Sequence, residues 1–175
     1  KSFNDYGRKF NIFKETVLKR MIKLLFVCHG NICRSPMAES VMAYLIEQNG
    51  LQALVGVASA AAHRDEIGNP PHRGTVEILK RKGIPLIPHR ARLMTRSDGE
   101  TFDLLLGMDE YNVRDMKAIV GAEYAGKVKK LLDFSSCPRA IADPWYTGDF
   151  ETTFADVFEG CNALLKYVIS VLNKK

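Results

Sequence analysis

The stretch Met21-Ile22-Lys23-Leu24-Leu25-Phe26-Val27-Cys28-His29-Gly30-Asn31-Ile32-Cys33-Arg34-Ser35-Pro36 decides the architecture. Residues 22–27 form a short apolar run with a β-branched bias, the pattern of a strand buried on both faces. Ser35-Pro36 then opens a helix, because serine caps a helix start and proline fits its first turn. Met37, Val41, Tyr44 and Leu45 give that helix an apolar stripe, and Asn49-Gly50 ends it. A loop that leaves a strand and enters a helix points its backbone N–H groups into one concavity, which suits an anion.

Outward from this unit, strands and helices alternate. Residues 54–59 read as a second strand, and 63–71 as a polar loop holding Gly68 and two prolines. Residues 75–82 read as a helix with Val76, Ile78 and Leu79 inward and Gly83 as its stop. Residues 89–94 read as a short helical turn, 102–108 as a third strand and 109–119 as a helix that Asp109 caps. A weaker fourth strand follows at 128–132. Asp143-Pro144-Trp145 reads as a loop, since proline resists helix interiors and central strands. The last helix, 152–172, repeats Phe154, Val157, Phe158, Cys161, Leu164, Leu165, Val168 and Leu172 at the helical period, with Asp149 as its cap. This alternation predicts one doubly wound α/β domain, a four-stranded parallel sheet with helices on both faces. The domain spans 21–175. Residues 1–20 read as an N-terminal extension without a part in the chemistry, in which Phe10, Phe13, Val17 and Leu18 recur at helical spacing. It lacks the long apolar stretch and cleavage site of a signal peptide.

Bulk composition agrees. A chain of 175 residues suits one domain, and 46% hydrophobic with 26% charged residues is ordinary for a globular protein. No apolar run approaches the roughly 20 residues of a spanning helix, so no membrane partner is expected. The net charge of +5 comes from dispersed lysines and arginines, a solvated surface that also favours anionic ligands. No basic stripe interleaved with aromatics supports a nucleic-acid partner. Cys28, Cys33, Cys137 and Cys161 have neither the density of a disulfide scaffold nor the paired spacing of a zinc site. A reducing, cytoplasmic setting is the default.

The loop 28–35 carries the chemistry. Gly30 allows close backbone approach or a positive φ. Asn31 is one of the few other residues that tolerate a left-handed conformation. Arg34 offers a planar fork that grips two phosphate oxygens. Cys28 opens the loop beside a helix N-terminus and an arginine, which favour the reactive thiolate. Ser35 is placed to donate a hydrogen bond to it. Together they supply a nucleophile, an oxyanion clamp and a fixed phosphate pose.

The segment 27–36 resembles the signature of the low-molecular-weight protein tyrosine phosphatases. Ser59-Ala60-Ala61, His89-Arg90-Ala91-Arg92, Asp109-Glu110-Tyr111-Asn112 and Asp143-Pro144-Trp145-Tyr146 extend the resemblance, in this order, from Met21 to the last helix. It implies hydrolysis of phosphotyrosine in proteins, and of small aryl phosphates, through a cysteinyl-phosphate on Cys28. Arg34 and the amides of His29, Gly30, Asn31, Ile32, Cys33 and Ser35 would hold the phosphoryl oxygens. Asp143 would protonate the leaving phenolate and then activate water. Asn31, Ser35, Ser59 and His89 match positions that brace the loop, although a lone surface polar residue explains His89 as well. Arg92 is expected to pair with an acidic neighbour, and capping suffices to explain Asp109 and Asn112. Asp65, Trp145 and Tyr146 are expected at the substrate cleft. The resemblance implies no cofactor and no metal, inorganic phosphate or other oxyanions as product or inhibitor, and a monomer or weak dimer. Cys33 is either a reversible disulfide partner for Cys28 or a small packed residue. Cys161 belongs to the core, and Cys137 has no evident partner.

Departures sharpen the reading. Residues 63–68, His-Arg-Asp-Glu-Ile-Gly, lack the aromatic that walls the cleft in many members of that family. A thioredoxin-coupled arsenate reductase on the same scaffold needs two further cysteines close together, which this chain lacks. A protein arginine phosphatase resembles the chain closely but carries threonine where Ile32 stands. A non-catalytic phosphoprotein-binding module would be expected to lose Cys28, Arg34 or Asp143, and all three are present.

Overall fold

The computed structural model describes residues 20–174. Strands β1 (Ile22–Cys28), β2 (Val55–Ala61), β3 (Leu104–Gly107) and β4 (Val128–Lys130) form one sheet. Its order is β2-β1-β3-β4, with every neighbouring pair parallel. The helices are α1 (Arg34–Gln48), α2 (Arg73–Arg81), α3 (Arg96–Thr101), α4 (Glu110–Val120), α5 (Pro144–Thr147) and α6 (Phe150–Asn173). The predicted α/β architecture is therefore present. The reading of 1–20 as a helical extension lies outside the described residues except for Arg20, which pairs with Asp103 at 2.7 Å.

Alternation along β1 explains why both faces of the sheet are covered. Leu24 and Phe26 point into a core shared with Met37 and Val41 of α1 and Val157, Cys161 and Leu164 of α6. Leu25 and Val27 point the other way, against Leu105 of β3 and Met116 and Val120 of α4. All four of these β1 side chains are fully buried. Each contributes roughly 1.5–3 kcal/mol of apolar burial, which fixes the central strand and hence the loop at its carboxyl end.

Several local expectations are corrected. Ser35 does not cap α1; it lies within the helix, whose N-cap residue is Cys33, and its hydroxyl serves Cys28 instead. Val76 is exposed, and α2 buries Thr75, Ile78 and Leu79. Residues 89–94 are extended rather than helical. Ala61 N donates to Arg92 O, and Met94 N donates to Ala61 O, so the end of β2 satisfies this backbone as a bridge. Helix α3 begins just beyond, behind the reciprocal capping bonds of Thr95 and Asp98. Its C-cap, Phe102, donates to Asp98 O, so β3 starts only at Leu104. Strand β4 stops at Lys130, where a 3-10 turn, Leu131–Phe134, takes over. Asp143-Pro144-Trp145 is not an open loop: Asp143 caps the single-turn helix α5 by accepting from Trp145 N.

Candidate active site

The loop between β1 and α1 lies at the carboxyl ends of the strands, where open parallel sheets place their sites. A cavity of about 700 Å³ opens above it. Its floor includes Cys28, Gly30 and Arg34; its rim comes from the loop after β2, from α4 and from α5.

Asn31 sets the loop's shape. It takes the left-handed conformation, with φ of 59°, and is wholly buried. Its side chain donates to Ser35 Oγ at 2.8 Å and to Ser59 Oγ at 2.9 Å, and accepts from Arg92 N at 3.1 Å. Its carbonyl accepts from His89 Nε2 at 2.8 Å. Four bonds thus offset the strain of a positive φ. The predicted bracing residues Asn31, Ser35, Ser59 and His89 meet in this single network. Sequence reasoning misses its next member, Glu39, which accepts from Ser59 Oγ at 2.5 Å and lies 3.8 Å from His89 Nδ1. Nothing in the residues around Glu39 on α1 marks it for this role. Arg92 pairs with Asp98, as expected.

Because Asn31 donates to Ser35 Oγ, the serine hydroxyl keeps its own proton for Cys28 Sγ, 3.1 Å away. Gly30 is needed for close approach and not for a positive φ. A Cβ there would stand 2.8 Å from Glu66 Cγ. Ile32 and Cys33 are buried, pack with Ala91 and Phe150, and also line the cavity. Burial, reinforced by the charges of Cys28 and Asp143, pushes the Cys33 thiol up to about 12. Cys28 and Cys33 are both free thiols.

Arg34 is the electrostatic centre. Its side chain is 3% exposed. Nη1 donates to Asp109 Oδ2 at 2.6 Å and to Ile141 O at 3.0 Å, and Nη2 donates to Asp143 Oδ2 at 2.6 Å. Burial works against its charge, but Cys28, Asp143 and Asp109 outweigh it and raise its pKa above the ordinary arginine value. Nε is buried without a partner among the described residues. A donor in that position suits an oxyanion lying in the loop. Asp109 has more than the capping role that its sequence position indicates. Asp143 is held twice, by Arg34 and by Trp145 N.

Around the mouth, Trp145 and Tyr146 line the cavity, both exposed. Trp145 meets the edge of His72, which stacks on Phe150. Asp65 also lies at the rim, 2.7 Å from His29 Nε2. Tyr111, Arg114 and His63 join them; their helix and loop settings give no signal of this in the sequence.

A family model described as Low molecular weight phosphotyrosine protein phosphatase matches residues 23–175. The chain belongs to this family. It is 41% identical over 147 residues to the low molecular weight protein-tyrosine-phosphatase YfkJ of Bacillus subtilis, covering 83% of this chain and 94% of that one. It is 38% identical over 156 residues to PtpA of Staphylococcus epidermidis, covering 89% and 99%. The crystal structure of YfkJ superposes with a TM-score of 0.84 at 38% identity, over 87% of this chain and 98% of that one. A protein tyrosine phosphatase from Entamoeba histolytica superposes at 0.80 with 28% identity, over 85% and 97%. The predicted family and fold are thereby borne out. Among the described residues no helix is long and apolar enough to cross a membrane.

Proposed function

We propose that the chain hydrolyses phosphotyrosine in proteins, with Cys28 as nucleophile, Arg34 and the loop amides as phosphate clamp, and Asp143 as general acid and base. The observation that carries the reading is the meeting of these three side chains in one cavity: Cys28 at the end of β1, Arg34 rising from the first turn of α1, and Asp143 within 2.6 Å of that arginine.

The reaction proceeds in two displacements. Cys28 Sγ attacks phosphorus, an S–P bond forms, and the P–O bond to the aryl group breaks. The departing phenolate takes the proton of Asp143. A water then attacks phosphorus, Asp143 takes a proton from it, and the S–P bond breaks to release phosphate and the thiolate. Arg34 links substrate binding to the acid. When phosphoryl oxygens engage the guanidinium fork, they compete with Asp143 Oδ2 and free that oxygen to hold a proton. The Ser35 hydroxyl steadies the thiolate as nucleophile and again as leaving group.

Phosphoproteins as substrates, inorganic phosphate or similar oxyanions as product and inhibitor, and a cytoplasmic setting complete the proposal. Cys33, five positions after Cys28 in the loop, is the disulfide partner that would protect the nucleophile from over-oxidation. Ile32 packs and offers no hydroxyl to assist attack on phospho-arginine.

The test is steady-state turnover of phosphotyrosine, phospho-arginine and phosphoserine peptides by the wild type and by Cys28→Ser. Phosphotyrosine should be hydrolysed best, and Cys28→Ser should lose at least about 10⁴-fold in kcat. Preference for phospho-arginine would overturn the substrate, and substantial residual activity in Cys28→Ser would overturn the mechanism.

A further inference from the structure

We propose that His29 and His63 together form the wall on which the substrate's aromatic ring lies, and that this imidazole pair sets the preference for aryl over alkyl phosphates. The proposal rests on the phosphatase reading above. The two rings stack with centroids 4.2 Å apart and planes inclined by 17°. They are brought together by backbone. Ala62 N donates to Cys28 O at 2.9 Å and His63 N to His29 O at 3.0 Å, two further backbone bonds just beyond the end of the β1–β2 pairing at Cys28 and Ala61. The bond from His63 N to His29 O holds the two residues together, one step out of the strand register, and their rings stack there.

Each ring is then anchored from outside. His29 Nε2 lies 2.7 Å from Asp65 Oδ2, and His63 Nε2 lies 2.9 Å from Asp115 Oδ2 on α4. Asp115 is itself held by Arg114 Nε at 2.9 Å. The edges of the two rings are thus occupied by carboxylates. The side chains are still 52% and 44% exposed, and both line the cavity. What the pair offers a substrate is ring surface.

Position fixes what that surface meets. His29 directly follows Cys28, so a phosphoryl group at Sγ carries its ester substituent past this ring. The stretch 63–68 holds no Phe, Tyr or Trp, and His63 is its only ring. Trp145, in α5, lines the same cavity. The wall that the sequence shows as missing its aromatic is therefore supplied by a pair of imidazoles, one from each loop.

A wall that touches only the ring acts before the aryl group departs, because the cysteinyl-phosphate no longer contains it. The experiment compares wild type, His63→Ala and His63→Phe, with folding of each verified by thermal melting. For His63→Ala, kcat/KM on a phosphotyrosine peptide should fall about tenfold, and the inhibition constant of benzylphosphonate should rise by about the same factor. The inhibition constant of inorganic phosphate, which has no ring, should change less than about twofold. His63→Phe restores ring surface without the Asp115 couple and should recover most of the loss. Equal weakening of phosphate and benzylphosphonate, or no recovery in His63→Phe, would overturn the proposal. A wild type that does not prefer phosphotyrosine to phosphoserine would instead overturn the underlying function, so the two failures are distinct.

Discussion

Arg34 Nη1 donates to Asp109 Oδ2 across 2.6 Å, joining the first turn of α1 to the N-cap of α4. Asp109 serves both with separate oxygens, since Oδ1 accepts from Asn112 N at 2.7 Å. The two roles separate by mutation. Asp109→Asn keeps an acceptor for the cap but removes the charge beside a buried guanidinium. It should lower kcat/KM about tenfold to a hundredfold, because Arg34 loses one of its two anionic anchors. Asp109→Ala removes the cap as well and should cost about 1 kcal/mol more in urea denaturation than Asp109→Asn. Equal stability of the two variants would remove the cap from this account.

Gly30 gives a second prediction. An alanine there brings its Cβ within 2.8 Å of Glu66 Cγ. Glu66 is tied by a hydrogen bond to Asn69 at 2.7 Å, so it yields only by giving up that bond or by displacing the loop. Gly30→Ala should therefore lower kcat/KM about tenfold, with little loss of stability. The double variant Gly30→Ala/Glu66→Ala should recover most of it, measured as a double-mutant cycle. An additive result would mean that the loop backbone itself, and not Glu66, rejects the methyl group.

The buried thiols predict an alkaline limit to stability. Cys33 titrates near 12 in the folded chain, against 9.0 for an ordinary thiol, and burial also raises Cys161. Below pH 9 both are protonated in either state, and neither makes stability depend on pH. Above pH 9 the unfolded chain releases protons that the folded chain retains, so stability falls with rising pH, by about 1.4 kcal/mol per pH unit for each group. For Cys33 the loss should continue until about pH 12. Melting temperature measured from pH 8 to 11 should fall less steeply in Cys33→Ser than in the wild type. Parallel curves would show that Cys33 ionises freely in the folded state.

Legibility in the sequence follows the range of the interactions. The strand β1, the loop and the amphipathic α6 are readable because apolar period and loop chemistry lie within one segment. The left-handed turn at Asn31 is readable because asparagine is one of the few non-glycine residues that accept that conformation, whereas its bracing role is readable only through the family resemblance. Residues 89–94 mislead because their backbone hydrogen bonds go to Ala61, Gly68, Asn69 and Asn31, all distant in the chain, and nothing local records that. Asp109 looks like a cap alone because its second partner, Arg34, is distant in the chain. Glu39, His63 and Tyr111 escape notice for the same reason: their importance comes from what the sheet topology brings beside them.

Asp143 supplies the last prediction. Its Oδ2 lies against Arg34 and its Oδ1 against Trp145 N, so the carboxyl is positioned from two sides at the start of α5. A general acid matters in proportion to the basicity of the leaving group. Nitrophenolate departs without help, whereas phenolate needs a proton in the transition state. Asp143→Ala should therefore lower kcat/KM for p-nitrophenyl phosphate by about tenfold or less, and for phenyl phosphate and phosphotyrosine by about 10²–10⁴. A series of substituted aryl phosphates should show rates nearly independent of leaving-group basicity in the wild type and steeply dependent on it in the variant. Asp143→Asn keeps the capping acceptor for Trp145 N and should show the same steep dependence, which separates proton transfer from the placement of α5. Equal slowing across the series would remove Asp143 from the role of acid and leave it as the second anchor of Arg34.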